Sequence, residues 1–129
     1  MTRRSSFTRI ENDVLPKFRD SMAQAESTAD VRKFFVYTML EILNGALNGG
    51  IDLVYEDVAL APGTPPGYVL SPRLRDHPVF EALCLSSDLP AIMERFAATA
   101  GNRFKRLEKN PDRSEGKVHP VSGGSGRAV

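Results

Sequence analysis

Apolar side chains recur at steps of three and four residues through most of this chain, and that spacing predicts helices. Phe7, Ile10, Val14, Phe18, Met22 and Ala25 repeat in this way and define a first helix over about residues 7–25. Pro16 falls on its opposite side, where it either bends the helix or splits it in two. The apolar stripe passes Pro16 in register, which favours a bend. Ser27-Thr28-Ala29-Asp30 then offers a capping hydroxyl and a first-turn acid, both suited to the exposed N–H groups that open a helix. A second helix is predicted from there to Leu47, closed by Asn48-Gly49-Gly50. The last helix, over about 88–109, carries Leu89, Ile92, Met93, Phe96, Ala97, Ala100, Phe104 and Leu107 on one face, and Asn110-Pro111 stops it.

The middle of the chain follows a different pattern. Residues 51–60 mix alternating and continuous apolar positions with β-branched Val54 and Val58, residues 61–67 are turn chemistry, and Tyr68-Val69-Leu70 resumes a strand-like run. A short β-hairpin fits, and two strands alone need helices to lie against. Ser71-Pro72 and Asp76-His77-Pro78 each read as a helix entrance, predicting a short turn and then a two-turn helix over about 78–85. The expected fold is therefore mainly α. It has three long helices, one short helix and a small hairpin insertion in a single domain over 1–110. A flexible basic tail follows over 111–129, where Ser122-Gly123-Gly124-Ser125-Gly126 has the composition of a linker.

The second helix has more apolar circumference than one neighbour can cover. On a helical wheel Val31, Phe35, Val36, Met39, Leu40, Ile42, Leu43, Ala46 and Leu47 fill about half the circle. Phe34 and Tyr37 fall outside that arc, sharing the remaining side with Thr38, Glu41, Asn44 and Gly45. Either the rest of the chain encloses this helix, or Phe34, Tyr37, Thr38 and Glu41 form a surface for self-association or for another protein.

Composition bounds the choice. With 129 residues, 41% of them hydrophobic and 26% charged, the chain belongs to the globular class. A net charge of +1 points to no partner by itself, but the charge is unevenly spread. The first twenty residues hold five basic and three acidic side chains, residues 21–100 hold five and ten, and residues 101–129 hold seven and three. On the last helix Arg95, Asn102, Arg106 and Lys109 line up away from the apolar stripe, and a row of this kind can follow phosphates. Nucleic-acid association through that row and the basic tail is the alternative reading. The Thr8–Asp13 segment after Arg3-Arg4 begins no apolar run and so does not make a leader, no run approaches the ~18 apolar residues of a membrane span, and the single cysteine suggests a reducing compartment, so the cytoplasm is expected.

Candidate chemistry is sparse. His77, Glu81 and Cys84 share a helical face, but no second cluster completes a metal set, and Cys84 and His77 lie two turns apart, about 10 Å along the axis. Glu56 and Asp57, read as neighbours on a strand, point to opposite faces. The glycine clusters lack the strand before and helix after that a phosphate loop needs. Catalytic residues, metal ligands and cofactors are therefore expected to be none, and the chain is not read as an enzyme. Glu11 and Arg103 intrude on the apolar stripes of the first and last helices, so either they meet as a pair or both reach water at the stripe edges. Together these readings predict a small interaction protein that associates through its second helix, most simply as a homodimer, with no membrane partner.

Overall fold

The computed structural model describes residues 6–109, and the tail assigned to 111–129 lies outside the described residues. The described chain runs α1 (Thr8–Gln24), α2 (Thr28–Leu47), a 3-10 turn (Tyr55–Asp57), β1 (Val58–Leu60), β2 (Tyr68–Leu70), α3 (Pro72–Arg75), α4 (Pro78–Ser86) and α5 (Leu89–Lys109). This is the mainly α architecture with a two-stranded hairpin that the apolar spacing predicts. Pro16 lies inside a continuous α1, on its exposed side, where the N–H that proline lacks costs no buried contact.

Helix ends follow local chemistry. The Ser27 hydroxyl accepts from the Asp30 amide at 3.1 Å and opens α2, a cap worth about 1 kcal/mol. Asn48 at φ 55° and Gly49 at φ 74° close it in the left-handed region. Ser71 caps α3 by accepting from Leu74 N at 3.2 Å, and Pro72 follows it at the start of the helix. α1 starts differently: the amide of the residue before it finds a carboxylate from far along the chain, as Phe7 N donates to Asp88 Oδ1 at 2.8 Å. The hydroxyl of Ser6 donates to the same carboxylate at 3.0 Å. Asp88 thus ties the N-terminus of α1 to the entrance of α5.

The core sits around α2, which α1, α5 and β1 cover on successive sides. Val31, Phe35, Met39, Ile42 and Leu43 on α2 are fully buried, together with Phe18 from α1 and Ile92, Met93 and Phe96 from α5. Phe18 and Phe96 pack with ring centroids 4.9 Å apart and join α1 to α5. The hairpin pairs Val58 with Leu70, Ala59 with Val69 and Leu60 with Tyr68, antiparallel, and buries Val58 and Leu60 against the helices.

Strand structure covers only Val58–Leu60 of the 51–60 stretch. The reason is Asp57, which is 2% exposed and accepts from Val54 N at 2.9 Å, curling residues 55–57 into a turn. The Ser71 hydroxyl donates to Asp57 Oδ1 at 2.6 Å and Arg73 Nε to the same oxygen at 3.2 Å. Arg73 also donates to the Asp52 carbonyl, so one side chain ties both ends of this loop to α3. Glu56 and Asp57 are consequently turn residues, with Glu56 exposed and Asp57 inside.

Glu11 and Arg103 do not pair with each other. Glu11, 8% exposed, receives both Nε and Nη2 of Arg95 at 2.8 Å, in the two-pronged geometry that suits a carboxylate. Arg103 donates to the Ala25 carbonyl at 2.8 Å and the Ala23 carbonyl at 3.4 Å, satisfying oxygens at the C-terminal end of α1. Both contacts join α1 to α5.

Candidate functional site

The helix spacing that fills the core also fixes what α2 leaves outside. Lys33, Tyr37, Glu41, Asn44 and Gly45 are exposed, and they form one strip along the helix. On one edge α1 comes so close that a Cβ at Gly45 would sit 3.1 Å from Ile10 Cδ1. Lys17 of α1 reaches over this edge to Glu41, Nζ to Oε2 at 2.9 Å, with both side chains at least half exposed. On the other edge lies the 3-10 turn. Its Tyr55 meets Tyr37 edge to face, centroids 5.6 Å apart and rings at 71°.

The four residues assigned to a partner surface separate accordingly. Tyr37 is 56% exposed and stands at the centre of the strip. Glu41 is exposed and engaged by Lys17. Phe34 is half-buried at the edge of the core, with the Lys33 ammonium 5.5 Å from its ring centroid. Thr38 is only 9% exposed, because α1 covers that side of the wheel, and it belongs to the core and not to the strip.

Two residues of the surface were not visible as such in the sequence. Tyr55 is 40% and Val54 45% exposed, and both extend the apolar area beside Tyr37. Read as strand residues they alternate between faces; the turn held by Asp57 instead presents both outward. The only sequence signal for that turn is an acid before Val58 whose partners, Ser71 and Arg73, come more than a dozen positions later. Burial by itself would raise the pKa of Asp57, but the bonds from Ser71, Val54 and Arg73 outweigh it and hold the carboxyl below its ordinary value. The turn is therefore anchored by an ionised group at neutral pH.

The basic row on α5 is divided by the same packing. Arg95 is held by Glu11, a bond that raises its pKa further above the usual guanidinium value, so the side chain is committed to the α1–α5 contact. Asn102, Arg106 and Lys109 remain exposed toward the C-terminal end. Asn102 and Lys105 also edge a shallow cleft of about 290 Å³ between α5 and the turn at Pro62–Gly67.

On the His77–Glu81–Cys84 face, His77 and Cys84 serve local structure. His77 Nδ1 accepts from Val79 N at 3.2 Å and caps α4. The Cys84 thiol is half-buried against the core, and burial pushes its pKa up, the opposite of what an activated nucleophile needs. Among the described residues no three His, Cys, Asp or Glu side chains are placed to hold a metal ion. None of the described helices is long and apolar enough to cross a membrane. No protein-family model matches the chain, and no curated protein or solved structure does.

Proposed function

We propose that this chain is a small cytoplasmic interaction protein that docks a protein partner on the outward strip of α2. The observation that supports this most is the exposed aromatic pair Tyr37 and Tyr55, with Val54 beside it, at the one place where α2 is not covered by its own described chain. Tyrosine gives large contact area at low conformational cost and keeps a polar tip for hydrogen bonding, which is why it anchors interfaces. Within the strip, charge flanks the aromatic pair, Lys33 on one side and the Lys17–Glu41 pair on the other, as it does at an interface rim. Phe34, half-buried at the edge of the core, adjoins the strip through Lys33. The lone, half-buried Cys84 suits a reducing compartment.

The reading is tested with two variants, Tyr37→Asp and Tyr55→Asp, both on exposed side chains. Concentration-dependent sedimentation of the purified chain and capture of partners from an extract of the native source are compared with the parent protein. Association of either kind that both variants abolish supports the reading. If neither measurement distinguishes the variants from the parent, the strip docks nothing and the reading fails.

A further inference from the structure

We infer that the partner seated on this strip is a second copy of the chain, with the two α2 helices antiparallel about a two-fold axis at Tyr37. The inference rests on the docking reading above and adds the identity of the occupant. It is carried by a charge pattern that is its own complement. Lys33 stands four residues before Tyr37 and Glu41 four residues after, all three on the exposed strip of one helix. At 1.5 Å of rise per residue, each charge lies about 6 Å from the aromatic along the axis, one on either side. A two-fold rotation through Tyr37 brings Lys33 of each copy against Glu41 of the other, so a single surface supplies two opposite-charge contacts and a central aromatic one. The parallel arrangement would set Lys33 against Lys33 and Glu41 against Glu41, which like-charge repulsion disfavours.

Both charges are available for this pairing. Among the described residues Lys33 has no acidic partner; its ammonium rests over the Phe34 ring at 5.5 Å. Glu41 uses Oε2 for Lys17, and a carboxylate has lone pairs for a second cation on Oε1. Tyr55 and Val54 of each copy flank the aromatic centre and widen the apolar contact. The symmetric pair is closed, so it stops at two copies.

The experiment is sedimentation equilibrium of the full chain between roughly 10 and 500 μM at low salt, where exposed ion pairs are least screened. The parent protein is expected to form a reversible dimer. Lys33→Glu and Glu41→Lys should each weaken it about tenfold, since two attractive contacts become repulsive. An equimolar mixture of these two variants restores pairing, because each copy then offers the charges the other lacks, and the exchange Lys33→Glu with Glu41→Lys in one chain restores it as well. A parent protein that stays monomeric throughout overturns the inference. So does a dimer indifferent to both single variants, which would lie elsewhere, for instance on the outward Val79 and Leu85 of α4. Failure of the mixture to recover overturns the antiparallel register. If self-association fails while capture from an extract still depends on Tyr37 and Tyr55, the second copy is wrong and the docking surface stands; if both fail, both readings fall.

Discussion

Replacing Asp57 by Ala tests how the surface of this protein depends on a buried charge fourteen residues from one of its partners. The carboxylate is 2% exposed and accepts from the Ser71 hydroxyl at 2.6 Å, Val54 N at 2.9 Å and Arg73 Nε at 3.2 Å. Hydrogen bonds to a charged group contribute about 1.5–3 kcal/mol each at full burial. Arg73 is 50% exposed and water replaces much of its bond, so its share is a fraction of that. The Ser71 and Val54 bonds, less the solvation that their freed donors regain, leave a net loss of about 3 kcal/mol. For a domain of this size that lowers Tm by about 10 °C. The chain has no tryptophan and three tyrosines, Tyr37, Tyr55 and Tyr68, so in a Tyr68→Phe background the native fluorescence reports on Tyr37 and Tyr55. Thermal unfolding followed by circular dichroism gives the stability, and the native fluorescence gives the Tyr37–Tyr55 contact. Both should change together, because the same carboxylate holds the turn that positions Tyr55. A variant within about 2 °C of the parent, with its tyrosine signal unaltered, would refute the argument that Asp57 shapes the strip.

Three further outcomes follow from the same geometry. Acid should destabilise the fold below about pH 4: Asp57 and Asp88 both have folded pKa values below the ordinary one, in each case because hydrogen bonds outweigh burial, so their contribution is complete above the unfolded value and is lost as pH falls toward the folded one. Urea midpoints between pH 3 and 7 measure it, and Asp57→Asn should flatten the slope. Gly101→Ala should stabilise by about 0.5–1 kcal/mol, because the glycine lies inside α5 and an added Cβ would meet nothing within 4 Å; a lower urea midpoint would contradict this. Arg95→Ala should cost about 1–2 kcal/mol by leaving the Glu11 carboxylate mostly buried without its guanidinium, and a cycle with Glu11→Gln separates the pair from its desolvation.

Where the chain's own chemistry is local, the sequence can be read directly. The stripes of α1, α2 and α5 have the helical period, Ser27 and Ser71 cap the amides that follow them, and Asn48-Gly49 adopts the left-handed backbone that ends α2. None of these depends on what packs against them. Tyr37 was legible for the same reason: its wheel position puts it opposite the core whatever covers the rest of α2.

Contacts between residues far apart in the chain decided the remainder. Thr38 lies close to the boundary of the α2 stripe, and its burial depends on which side α1 takes. Glu11 chose Arg95 over Arg103 because both arginines face α1, and only the packed helices determine which guanidinium meets the carboxylate and which reaches the carbonyls of Ala23 and Ala25. Tyr55 became a surface aromatic because Ser71 and Arg73 hold Asp57 inside. Periodicity specifies which face of an element is apolar, since that is a property of neighbouring residues. Partner choice among charges, and which of two edges is covered, are properties of the assembled helices, so the sequence sets the elements and their core faces while the packed fold sets the ion pairs and the shape of the exposed strip.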